Sequence, residues 1–260
     1  MADSVLRVIR DGATARVTMT RPEVRNAFNA ELIAELRETF ESLGGDAAIR
    51  AIVLDGAGKT FCGGADVSWM RGSLDLPEVE NVADAERMSQ MYRAIDRCPK
   101  PTIARIHGGA LGGGAGLAAV CDIVLSTPET LYGFTETKLG IIPAVISPFV
   151  IAKIGVSHAR ALFLTGERFT ATRALAIGLV HEVHDDAALD ARLATLLSEI
   201  ATAGPGAVSA AKALVHRVRA TPYDETEYLT ARAIAQQRTT PEGQEGLRAF
   251  LERRPAAWHE

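Results

Sequence analysis

The chain is poor in cysteine, in aromatic residues and in long apolar runs, and each shortage removes a class of protein. Three cysteines in 260 residues, Cys62, Cys98 and Cys121, are odd in number and widely spaced, which fits a reducing compartment and not a disulfide framework. No apolar stretch approaches the roughly 18 to 20 residues that span a bilayer, and Met1-Ala2-Asp3-Ser4 does not open a charged-then-apolar leader. A cytoplasmic protein that does not engage a membrane is predicted. Basic residues are not in excess either: 28 Lys and Arg stand against 32 Asp and Glu, a formal charge of −4, so no general affinity for nucleic acid is indicated. A G-x-S-x-G elbow and a G-x-x-x-x-G-K-[ST] phosphate loop are both missing. His181 and His184 lack neighbours at zinc spacing and read as a solvated turn pair, so no metal is expected.

What the chain does have is glycine in two clusters. Phe61-Cys62-Gly63-Gly64-Ala65-Asp66-Val67 follows the β-like run Ala51 to Leu54, and His107 to Leu117, with its Gly112-Gly113-Gly114 core, follows Thr102 to Ile106. Each cluster precedes residues able to start a helix, where backbone N–H groups are free and carry positive partial charge. Glycine lets a ligand approach such a backbone closely. Two amides converging on one oxygen form an oxyanion hole. The competing dinucleotide fingerprint fits poorly, because Gly109-Ala110-Leu111-Gly112 has the wrong spacing and Asp122 comes too early for a ribose-binding acid. Cys62, in the first loop, has no assignable base and reads as a small loop residue.

Short β-rich runs (Val5 to Ile9, Ala15 to Met19, Ala51 to Leu54, Thr102 to Ile106, Asp122 to Leu125, Leu179 to Val183) alternate with amphipathic stretches. Leu32, Leu36, Phe40 and Leu43 fall on one helical face, and Met88, Met91, Tyr92 and Ile95 on another. An α/β layered core is predicted. Beyond about residue 186 the pattern is helical throughout, over Leu189 to Ile200, Ala207 to Val218, Tyr228 to Gln237 and Gly243 to Leu251. The organisation expected is a catalytic core over 1–190 followed by a helical C-terminal region over 191–260.

The two glycine segments resemble those of the crotonase, or enoyl-CoA hydratase/isomerase, superfamily. Further similarities run along the chain in the same order: Arg21-Pro22-Glu23-Val24-Arg25-Asn26-Ala27-Phe28, Glu136-Thr137-Lys138-Leu139-Gly140-Ile141-Ile142-Pro143, and Glu242 to Arg254. The resemblance implies a spiral of ββα units. It also implies a C-terminal helical part that packs on neighbouring subunits in trimers, usually paired into hexamers. It puts the oxyanion amides at Ala65 and Gly113 and the acid/base at Glu136, whose apolar flanks Phe134 and Leu139 to Pro143 suit a raised pKa. No separate cofactor is implied, since coenzyme A is part of the substrate. Arg25, Ala65, Asp66 and Val67 would touch the coenzyme, and Phe250 and Arg253 would reach that of a neighbouring subunit.

One departure is sharp: where the two-glutamate hydratases carry their first glutamate, this chain has Gly116. The segments Ala65 to Met70, Gly140 to Val150 and the tail look like the bacterial branch of methylglutaconyl-CoA and carboxygeranoyl-CoA hydratases. From that likeness a branched, carboxylated enoyl-CoA is expected as substrate, hydrated with Glu136 as the one acid/base, and space left at Gly116 is expected to receive the branch or the carboxylate. Relief of crowding between helices is the alternative role for Gly116. An isomerase carrying a proton between carbon 2 and carbon 4 is the alternative reaction, and a binding protein that kept the fold is the alternative of another class. Asp66 reads as a helix cap, Trp69 and Met70 as core in preference to groove wall, and Ser147 lacks an activating base.

Overall fold

The computed structural model describes residues 4–259; Met1 to Asp3, part of the segment that shows no leader pattern, and Glu260 lie outside the described residues. Strands β1 (Leu6–Asp11) and β2 (Thr14–Met19) form an antiparallel hairpin, from which β3 (Ala51–Gly56), β4 (Thr102–Ile106), β6 (Ile123–Ser126) and β9 (Glu182–Val183) continue a six-stranded sheet in the order β1-β2-β3-β4-β6-β9. All pairings after the hairpin are parallel. A second sheet sets β7 (Leu131–Gly133) between β5 (Gly109–Leu111) and β8 (Arg168–Thr170). The expected strand over Leu179 to Val183 shortens to its last two residues, because Leu179 and Val180 sit buried in a turn instead.

Helix α1 (Ala30–Gly45) starts where the Asn29 side chain accepts the Leu32 N–H (2.9 Å). It buries Leu32, Ile33, Leu36, Phe40 and Leu43 and packs on α3 (Glu78–Asp96), which offers Met91, Tyr92 and Ile95. Burial of one such side chain contributes about 1.5–3 kcal/mol. The short α2 (Val67–Gly72) and α4 (Gly113–Val120) follow the two glycine clusters, and α4 packs against both α3 and α5 (Ser147–Thr165). After α6 (Ala171–Ala176), helix α7 (Asp186–Thr202) lays Leu189 and Leu193 on Val53, Ile103 and Leu125 and so covers one face of the main sheet. A boundary at residue 190 therefore falls inside a helix that belongs to the core. Three helices follow, α8 (Pro205–Arg219), α9 (Thr226–Thr239) and α10 (Pro241–Glu252), in which Ala249 is the one buried residue among those described; Lys212 of α8 donates to Asp122 Oδ2 at 2.7 Å and ties that helix to the core. No helix among the described residues is long and apolar enough to cross a membrane.

Candidate active site

The two glycine loops lie side by side, and hydrogen bonding dictates which amides they leave free. Phe28 N–H donates to Gly64 O (2.7 Å) and Asp66 N–H to Phe28 O (2.9 Å). This parallel bridge occupies residues 64 and 66 on one edge and turns the N–H of Ala65 to the other. Along the same loop, Cys62 N–H donates to Gly109 O and Leu111 N–H to Cys62 O, both at 3.0 Å, which draws the start of α4 alongside. Gly64 takes φ +96°, and a Cβ there would come 2.9 Å from Leu111 O, so the approach requires glycine. Gly113 is the first residue of α4, where no acceptor within the helix exists for its N–H. Among the described residues, neither the Ala65 nor the Gly113 N–H has a hydrogen-bond partner.

Both residues line one cavity of about 420 Å³, and Glu136 lines it with them. Glu136 opens the 3-10 turn Glu136–Leu139. A Cβ on Gly112 would lie 3.2 Å from its Oε1, which places the carboxylate against the glycine loop that carries Gly113. Its Oε2 is buried without a hydrogen-bond partner. Burial pushes this carboxyl above the ordinary glutamate value, and its own backbone N–H only partly opposes the shift. A carboxyl that gives up and takes back protons readily thus stands beside two free amide donors. That set can hold charge on a thioester oxygen while moving a proton at a neighbouring carbon.

Asp66 caps α2: its Oδ1 accepts the Ser68 N–H at 2.8 Å. Its Oδ2 accepts from the Arg21 guanidinium at 2.7 Å, and Arg21 also donates to Ala27 O. Burial pushes the Asp66 carboxyl up, yet the Arg21 hydrogen bond and the Ser68 amide outweigh it and hold the group below the ordinary carboxylate range. Asp66 therefore fixes the loop that presents Ala65. Trp69 and Met70 both line the cavity, and Trp69 packs on the main core as well.

Gly116 is placed otherwise than expected. It is buried in α4 and does not line the cavity. A Cβ there would come 2.4 Å from Ile146 Cγ2 and 3.0 Å from Tyr92 Oη, so Ile146 fills the space that the sequence suggested for a substrate branch or carboxylate. The geometry at this glycine matches the crowding-relief alternative, since any side chain there would meet Ile146. Among the described residues the cavity wall contains no lysine, arginine or histidine, and its ionisable members are Glu136 and Asp84, both acids. A distal carboxylate finds no cation in this lining.

The other expected contacts lie outside the cavity. Arg25 is exposed at the left-handed end of the turn Pro22–Val24, beside Gly63, whose N–H donates to Arg25 O (2.8 Å). Val67 is exposed on the first turn of α2, and Phe250 and Arg253 are exposed at the end of α10. The Cys62 thiol is buried and pushed up to about 12, far from a reactive thiolate. Ser147 Oγ donates to Ala144 O at the head of α5. His181 Nδ1 accepts the Val124 N–H, and His184 bonds Glu182. Four residues at the site escaped the sequence reading: Arg21, Tyr92, Ile146 and Asp84. Tyr92 Oη donates to Gly113 O (2.7 Å) and steadies the first turn of α4. Arg21 stood within a quoted motif, but nothing in the sequence joined it to Asp66.

A family model described as enoyl-CoA hydratase/isomerase matches residues 10–260. The chain belongs to the enoyl-CoA hydratase/isomerase family. An enoyl-CoA hydratase of Alternaria alternata is 34% identical over 249 residues, 94% of this chain and 80% of that one. Among solved structures, a Legionella pneumophila protein of the crotonase group has 40% identity and a TM-score of 0.92, with 99% of this chain and 100% of that one covered. An enoyl-CoA hydratase of Shewanella pealeana has 34% identity and a TM-score of 0.94, with 98% and 96% covered. The crotonase fold follows, and with it the family's chemistry on enoyl-CoA thioesters. In this member of the family, free amides at Ala65 and Gly113 and a buried carboxylate at Glu136 line one cavity.

Proposed function

We propose that this enzyme adds water across the 2,3 double bond of an enoyl-CoA, with Glu136 as its one side-chain acid/base. The observation that carries the reading is the buried, unpartnered Glu136 Oε2 in the cavity that Ala65 and Gly113 also line. The Glu136 carboxylate takes a proton from water as the oxygen adds to carbon 3. The electron pair of the double bond moves to the thioester oxygen, where the two amides hold the enolate. Glu136 then returns the proton to carbon 2 as the carbonyl re-forms. Each amide donor is worth about 2.7–4 kcal/mol of barrier if it behaves as measured oxyanion donors do.

The acyl group we propose is branched, on the sequence likeness to methylglutaconyl-CoA hydratases, but uncharged at its far end, because the lining offers it no cation. Coenzyme A enters as part of the substrate, with Arg25 toward its phosphates and residues 65 to 67 along its adenine and pantetheine. We place Phe250 and Arg253 against the coenzyme of a neighbouring subunit in a trimer or hexamer. Exposed Tyr228, Ile234, Leu247, Phe250 and Leu251 on α9 and α10 support a covered C-terminal surface.

A second reading, isomerisation, draws on the packing of Ile146 over Gly116, which leaves no room there for a carboxylate to hold water. Product mass separates the two. Incubation with branched and straight 2-enoyl-CoAs and with a 3-enoyl-CoA gives a gain of one water for hydration and an unchanged mass with a shifted double bond for isomerisation. Release of free coenzyme A, or no reaction with any of them, overturns both.

A further inference from the structure

We infer that Asp84 is a specificity-determining residue that turns away acyl-CoAs carrying a carboxylate at the far end of the chain. This rests on the reading of the cavity as the acyl site. Asn81, Asp84, Ala85 and Met88 recur at three- and four-residue steps and present one face of α3 to that cavity. Further along the same helix, Met91, Tyr92 and Ile95 enter the core. Asp84 is thus the one carboxylate on a stripe that otherwise serves packing and the cavity wall. Its side chain is 19% exposed, too buried for an ordinary surface charge.

The cations near Asp84 stand behind it. Arg87, one turn on and 59% exposed, pairs with Asp84. A smaller cavity of about 90 Å³ is walled by Asp84 and Trp69 together with Arg37, Arg87 and Gln90. Asp84 and Trp69 therefore part the acyl cavity, which holds acids only, from an annex that holds two arginines. A substrate carboxylate arriving along the acyl cavity meets the Asp84 charge first and reaches Arg87 only by displacing it. A neutral chain end meets no such penalty. Discrimination here is by a built repulsion, not by an added contact.

The experiment measures binding, so that it does not depend on turnover. Kd values for hexanoyl-CoA and adipoyl-CoA, matched in chain length and differing in the terminal carboxylate, are determined by calorimetry for the wild type, Asp84→Asn and Asp84→Ala. In the wild type hexanoyl-CoA binds the tighter. Both substitutions shift the ratio toward adipoyl-CoA by about tenfold or more, the scale of one like-charge contact removed from a partly desolvated site. Adding Arg87→Gln to Asp84→Asn leaves most of that gain in place, because the gain comes from a repulsion removed. A ratio unchanged in both single variants, or a wild type that prefers adipoyl-CoA, overturns the inference. Absence of turnover with every enoyl-CoA overturns the hydratase reading alone and leaves the binding ratio as the arbiter for Asp84.

Discussion

The Ile146 side chain occupies the space that any side chain at residue 116 would need, with Cγ2 only 2.4 Å from where a Cβ on Gly116 would stand. A carboxylate at residue 116 thereby has no room. Gly116→Glu is expected to cost about 1–3 kcal/mol by overpacking and to add no hydratase activity. Gly116→Glu with Ile146→Gly relieves the clash but removes a buried side chain and leaves the new carboxyl desolvated, so it stays less stable than the wild type. Urea melts of both variants check this, and a single variant as stable as wild type would show that α4 and α5 separate readily here.

Tyr92→Phe removes the hydroxyl that donates to Gly113 O, a carbonyl that also accepts within the first turn of α4. The expected loss of stability is about 0.5–1.5 kcal/mol. Because the bond fixes the first turn of α4, kcat should fall while KM stays close to its wild-type value. Steady-state kinetics decide, and an effect confined to KM would detach Tyr92 from the Gly113 amide.

Asp66→Ala loses a helix cap worth about 1 kcal/mol and strips Arg21, 15% exposed, of its ionic partner. Breaking such a buried pair costs roughly 3–5 kcal/mol. Asp66→Asn retains the capping oxygen and is expected to be the milder change. Thermal melts of the two variants rank them, and equal losses would mean that the Arg21 contact carries all of the effect.

The raised Glu136 pKa sets a sign for pH dependence. Glu136 acts first as a base, so kcat/KM falls as pH falls through its pKa, and that acidic limb lies above the ordinary glutamate value. In stability the sign is the reverse. The folded state holds this proton more tightly than the unfolded chain, so the contribution of Glu136 is full below the unfolded value and is lost as pH rises through the folded one. Glu136→Gln removes that loss and should melt at a higher temperature than the wild type at neutral pH. A variant that melts lower would show the ionised carboxylate to be stabilised in the fold.

The parts of this molecule legible in the sequence are those that local chemistry writes. Glycine clusters ahead of helix starts are realised at Val67 and Gly113, and the periodic apolar faces of α1 and α3 are turned inward as their spacing requires. The second sheet was not legible, because β5, β7 and β8 have three residues each, too few to display an alternation. Neither was Ile146 over Gly116, which depends on how α4 and α5 pack. The pairing of Arg21 with Asp66 spans 45 residues and leaves no periodic trace. The sequence likeness carried a carboxylated substrate with it, whereas the ionisable groups that wall the cavity among the described residues are both acids.

The central claim, that Glu136 alone moves the proton beside an oxyanion hole made by Ala65 and Gly113, is tested most directly by the turnover of Glu136→Gln. The substitution keeps size and hydrogen bonding and deletes proton transfer. On the substrate that the wild type turns over fastest, kcat should fall by roughly 10²- to 10⁴-fold, while the Kd for the matching saturated acyl-CoA stays within a few-fold of wild type. A folded Glu136→Gln enzyme that keeps near-normal kcat would contradict the account and assign the proton to another group.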